Sequence, residues 1–286
     1  MNSDSRSEKI DGAAIDSRTT MSAVIIAVWV GIFYSCYYIS SKTSFSVGTL
    51  NSVMFRLICS LSALGVLSFL VAKKLKRQKA VIILILCLIT NLGINIVLQG
   101  FQTPSSNILL HYYAGINLTL LGIALCAGIL LSSIIKNSSY LIPIVAAAGL
   151  ADIWSVFFGV TNKIIQSRTA MNFLLFSFPV SGKGILPVIG VTDFIFATMF
   201  LSFSSKFDMP IIRTQVLVAA SFIISITVAV FGGFGVPVLP VMGLFFITGQ
   251  YKYVKIVDPK EKRDAVCGIL IIATALAVIT FIKYHF

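Results

Sequence analysis

The chain has 286 residues, of which 57% are hydrophobic and only 11% charged, and its mean hydropathy is +0.97. Soluble domains carry about a quarter charged residues, so this composition excludes a water-soluble globule and indicates a polytopic membrane protein of all-α class. The formal charge of +12 would suit nucleic acid, but the positive residues gather at the ends of apolar stretches, which excludes a nucleic-acid partner and points to a lipid bilayer.

Residues 1–20 are polar and lack the basic-then-apolar order of a signal peptide, so they read as a disordered cytoplasmic tail. Beyond them, hydropathy punctuated by Gly, Pro and charge clusters predicts about nine membrane-spanning helices. Four of them, 21–40, 47–72, 80–100 and 109–135, form an amino-terminal block over 21–136. Four more, 140–160, 185–203, 211–232 and 236–251, form a core over 140–251, and a last helix, 265–284, lies in the carboxyl-terminal segment 265–286. Nine such helices consume about 180 residues and leave no separate soluble domain.

With the amino terminus inside, 16 Lys and Arg residues fall on the cytoplasmic side and 5 outside. Positive residues are retained on the cytoplasmic side, so the bias predicts a cytoplasmic amino terminus. The short loops suggest a prokaryotic cell membrane. Five cysteines all fall in apolar stretches without C-x-x-C spacing and read as small buried side chains.

Of ten acidic residues, eight lie in the tail or in loops. The other two, Asp152 and Asp193, fall in the middle of the fifth and sixth expected spans, at nearly equal depth from the cytoplasmic side. A carboxylate at the bilayer centre costs about 2.5–3.5 kcal/mol, so a matched pair on consecutive helices marks a candidate catalytic site. Two carboxyls that meet at low dielectric share one proton, which is the equipment of aspartic proteolysis: one accepts a proton from water while the other hydrogen-bonds the scissile carbonyl. This chemistry needs neither a metal nor an organic cofactor.

At these residues the chain resembles the presenilin and signal peptide peptidase family of intramembrane aspartyl proteases, whose motifs are Y-D, G-x-G-D and P-A-L. The matching stretches are Ala151-Asp152, Gly190-Val191-Thr192-Asp193 and Pro237-Val238-Leu239-Pro240, in the family's order and spacing, over roughly residues 140–250. Ala151 stands for Tyr, Thr192 for the second Gly and Val238 for Ala. The resemblance implies a presenilin-like fold and hydrolysis of peptide bonds in transmembrane or signal-peptide substrates, with Asp152 and Asp193 catalytic. It also implies substrate contacts at Gly190, Thr192, Pro237, Val238, Leu239 and Pro240.

The aromatic stretch Met171–Val180, MNFLLFSFPV, is too short to span, and Pro179 breaks a helix there. Two readings fit it: a strand that pairs with an unwound substrate, with Phe178 and Pro179 as contacts, or an interfacial segment on the bilayer. Neither His111 nor His285 belongs to an H-E-x-x-H motif, and Ser181-Gly182 lies in no G-x-S-x-G elbow, which disfavours zinc and serine intramembrane proteases. Two other functional classes stay open. Paired intramembrane acids, with Arg56 in the second helix, also suit a proton-coupled secondary transporter of drug or metabolite type, and the protease fold also suits a catalytically inactive membrane chaperone.

Overall fold

The structure is a computed structural model that describes residues 4–42, 48–72, 75–99, 106–158, 168–180, 184–233 and 236–254, with 263, 266, 267, 270, 271, 273 and 274 as isolated positions. Among the described residues six helices are long and apolar enough to cross a membrane, and one further apolar helix is shorter. The chain is a multi-pass membrane protein. The expected last span, 265–284, lies outside the described residues apart from the isolated helical positions.

Helix α1 (Asp4–Lys42) is continuous from the polar tail into the first span. The tail expected to be disordered is therefore helical from Asp4. The apolar part of α1 supplies the nucleus, and elongating an existing helix through a segment with no proline avoids the cost of a new one. Helices α2 (Gly48–Ala72), α3 (Arg77–Gln99) and α4 (Ser106–Ile134) follow. Trp29, Phe33 and Cys36 fall at helical spacing on α1 and are buried, and the Trp29 indole N–H donates to the Cys59 carbonyl of α2 at 3.5 Å.

A 3-10 turn (Ser138–Tyr140) leads into α5 (Leu141–Phe158). After the short α6 (Arg168–Leu174) come two antiparallel strands, β1 (Leu175–Val180) and β2 (Gly184–Gly190), and then α7 (Val191–Lys206), α8 (Ile211–Gly232), α9 (Val238–Gly249) and α10 (Tyr251–Val254). The described residues are mostly helical, in keeping with the all-α expectation, with this one two-stranded hairpin added; the expected span 185–203 is corrected. Its first part is β2, and the helix starts only at Val191. Pro187 removes a donor that a helix would need, Ile185, Val188 and Ile189 are β-branched, and glycines close both ends of the strand. Of the stretch Met171–Val180, the part Leu175–Val180 is a strand, whose partner is β2 of the same chain, while Met171–Leu174 belongs to α6.

Helix α7 is the centre of the molecule. Ten of its sixteen residues are buried, and its most extensive contact is with α4. That contact is close because α4 presents Gly128, where an added Cβ would lie 2.6 Å from both the Ile195 carbonyl oxygen and the Thr198 Cβ. Lys206 at the end of α7 donates to the terminal carbonyls of Ser132, Ser133 and Ile135, which α4 and the residue after it leave free. An aromatic series runs from Phe178 through Phe176 and Phe194 to Phe222, joining β1, α7 and α8 at centroid spacings of 6.1, 4.6 and 5.1 Å.

The hairpin is fixed from the amino-terminal block. On buried α4, Asn117 accepts from the Ser177 N–H at 3.0 Å and donates to the Ser177 carbonyl at 2.7 Å. A second polar chain joins α6 to α3 and α4: Asn172 donates to the Tyr112 hydroxyl at 2.6 Å, which donates to Asn95 at 2.8 Å. In a lipid-embedded fold each such group needs a protein partner. Replacing Asn117 by Ala leaves both Ser177 backbone groups unpaired, at a cost of about 1–3 kcal/mol. The expected outcome is a lower thermal unfolding midpoint for the detergent-solubilised N117A variant, with faster amide exchange in β1 and unchanged exchange in α7.

Candidate active site

Asp193 is the third residue of α7, in its first turn rather than mid-helix as the expected span had it. Its carboxyl accepts the backbone N–H of Gly190, the residue that caps the helix. An acid at this position reaching back to the cap amide satisfies a donor that the helix start leaves unpaired. Gly190 is needed for space and not for torsion: its φ is −66°, but an added Cβ would lie 3.1 Å from the Thr192 hydroxyl and 3.4 Å from Asp193 Oδ2. Asp193 is 7% exposed.

Asp152 is the twelfth residue of α5 and is half-buried. One of its oxygens, Oδ2, accepts the Leu239 N–H at 3.1 Å, and its carboxylate also takes the Val238 N–H. Both donors belong to the start of α9, where Pro237 is the cap residue. The first amides of a helix have no internal acceptor, and they make a ready anion site. Close packing holds the two helices together at this point: a Cβ added at Gly149 of α5 would lie 3.5 Å from the Pro240 Cα, and Gly243 of α9 sits directly against Val145.

Both carboxyls line one cavity of about 530 Å³, bordered by α5, β2, α7, α8, the approach to α9, and Arg56 of α2. Gly190, Thr192 and Val238 also line the cavity. The remaining residues of the expected substrate-binding set are placed differently. The Leu239 amide is committed to Asp152, Pro240 packs on Gly149, and Pro237 caps α9. Phe178 and Pro179 are buried in the core side of β1 and do not line the cavity. Of the glycine-rich stretch before α9, Phe234 and Gly235 lie outside the described residues.

No protein-family model matches this chain, and neither does any curated protein or solved structure.

Two cavity residues are ones that the sequence did not place beside the acids. Ser225 of α8 is an ordinary small residue in an apolar run, and Arg56 is an isolated charge near the start of α2. Ser155, Leu174 and Leu175 also line the cavity through the way α5, α6 and β1 converge, which periodicity does not encode.

The shared cavity has a direct geometric test. In a background with the five cysteines replaced, Asp152→Cys and Asp193→Cys together are expected to be bridged by a short bis-maleimide, read by intact mass. The pair Ile153→Cys with Asp193→Cys, whose first residue is 37% exposed on another face of α5, is expected to remain unbridged. Equal bridging of both pairs would contradict the described cavity.

Proposed function

We propose that this protein is an intramembrane aspartyl protease of the presenilin and signal peptide peptidase type, which hydrolyses peptide bonds in transmembrane or signal-peptide substrates. The observation that carries the reading is that Asp152 and Asp193, from separate helices, line one cavity. Membrane-buried acids are costly, and a cooperating pair has a specific use.

In this reading the pair holds one proton. The ionised carboxylate removes a proton from a water molecule as its oxygen bonds to the scissile carbonyl carbon, while the protonated acid hands its proton to the carbonyl oxygen. The resulting gem-diol collapses: a hydroxyl proton returns to the pair, the amide nitrogen takes a proton from it, and the C–N bond breaks. Neither aspartate bonds covalently to the substrate, and the two titrate as a unit.

The hairpin supports a way to hold the unwound substrate. Hydrogen-bonding direction alternates along an antiparallel strand. Ser177 spends both backbone groups on Asn117, away from β2, so Pro179, two residues on, also faces away, where it has no N–H to offer. The outer edge of β1 is therefore closed. On β2, Ile185 pairs with Pro179 and Pro187 with Ser177, so both face away from β1: Ile185 presents its N–H and carbonyl and Pro187 its carbonyl alone, on the strand whose far end reaches Asp193. Among the described residues no hydrogen bond from another element reaches this edge. An extended segment added there would run toward the two acids.

The same reading puts the amino terminus in the cytoplasm, on the basis of the Lys and Arg bias, and the short loops suit a prokaryotic-type cell membrane. Reconstituted in liposomes with helical membrane peptides, the wild-type chain is expected to cleave, and Asp152→Ala and Asp193→Ala are each expected to lose at least about 10²–10⁴-fold in rate. Proton-coupled solute uptake abolished by both substitutions, with no peptide cleaved, would replace the protease by a transporter. Ile185→Pro removes the outward N–H while leaving the β1 pairing intact. It is expected to raise KM for peptide without altering the thermal midpoint.

A further inference from the structure

Arg56 lines the same cavity as the two aspartates, and its Nε is buried without a hydrogen-bond partner. Ser225, 1% exposed on α8, also lines it, and its hydroxyl likewise lacks a partner. Helix α2 packs against both α7 and α8, which brings these two side chains to one chamber. Among the described lining residues Arg56 is the one cation.

An arginine in the bilayer has a cost like that of an aspartate, and here no ion pair with either acid offsets it among the described residues. A guanidinium offers donors in a fixed fork that match a carboxylate, and it accepts nothing. The Ser225 hydroxyl, lining the same cavity, supplies a further donor. Buried donors without a partner are satisfied when an acceptor arrives, and the acceptor that best suits a cation with a hydroxyl is an anion.

We infer that Arg56 and Ser225 form a specificity subsite for a carboxylate of the substrate, so that the chain selects membrane peptides bearing an acidic group close to the cleaved bond. The inference rests on the proteolytic reading of the cavity. Two sources supply that chemistry: an acidic side chain inside the helical segment, or the free carboxyl terminus of a peptide already cut. The site distinguishes neither by itself. It also explains why a lone arginine is tolerated beside an acidic pair, because its partner arrives with the substrate.

The test uses the full chain in liposomes and four versions of one helical membrane peptide, with Glu or Gln inside the segment and a free or amidated carboxyl terminus. The wild type is expected to favour a charged version by about 10–100-fold in kcat/KM, as hydrogen bonds to a charged group imply. Which charged version is favoured identifies the source. The preference is expected to vanish in R56Q, to weaken in S225A and to survive in part in R56K. Equal cleavage of all four peptides by the wild type would overturn the inference and leave the protease reading standing. If the wild type cleaves none of them, the protease reading falls, and binding of the labelled peptides to the wild type and R56Q, followed by fluorescence anisotropy, still decides the subsite. A charge preference lost in R56Q supports it, and equal binding by the wild type overturns it. The peptide comparison needs no variant, so misfolding of R56Q cannot mask the result.

Discussion

A carboxyl inside a membrane protein has to find hydrogen-bond donors within the chain, because lipid offers none. For Asp152 the donors are the first amides of α9, a helix of 12 residues, about 18 Å long and too short to cross a bilayer. Pro237 and Pro240 make that start abrupt. The amide of Leu239, which a longer helix would have bonded internally, is left to reach across to α5. The rest of the site follows from this contact, since it fixes where α5 lies.

The two acids are held by different kinds of support. Asp193 sits at the start of the most buried helix, with its own cap residue as donor and a phenylalanine series packed around the adjoining turn. Asp152 sits on a helix that packs chiefly against α9. Helix α9 is in turn tied to α7 by Phe246, stacked on Phe200 with centroids 4.4 Å apart. At its carboxyl-terminal end, Gln250 donates to Thr214 at 3.0 Å, and Thr214 shares a hydrogen bond with Ser204 of α7 at 2.7 Å. The spacing of the acids is thus transmitted through α9, and any change in α9 packing reaches Asp152 before it reaches Asp193.

The amino-terminal helices are not a passive membrane anchor. Helix α4 supplies Asn117 to the hairpin and Gly128 to the close α7 contact, and α2 supplies Arg56 to the cavity. Polar side chains on these helices are directed at the elements that carry the acids. A strand edge is also a liability in a membrane, because unpaired amides are costly there. The hairpin meets this by closing the outer edge of β1 with a side-chain amide and a proline, while Pro187 removes one outward donor from β2, the edge that borders the acids.

The sequence by itself determined the membrane class, five of the first six long spans to within a few residues, and the two aspartates as the exceptional charges. These are decided by local composition: a run of apolar residues has one stable fate in lipid, and an acid within it is conspicuous. Helix α8 was legible for the same reason. Tertiary structure decided the rest. The stretch 185–203 is apolar enough for a helix, and only pairing with β1 and the glycine at its end made its first part a strand and set Asp193 in a first turn. The match of Pro237–Pro240 to a motif pointed to the site, but a motif does not say that one of its amides would be claimed by Asp152. Arg56 and Ser225 are 169 positions apart in the chain, and nothing in either local pattern records that they border one cavity. Hydropathy is a property of neighbours in sequence, whereas a site is a property of neighbours in space, and in this fold the two coincide only where helices are long and uninterrupted.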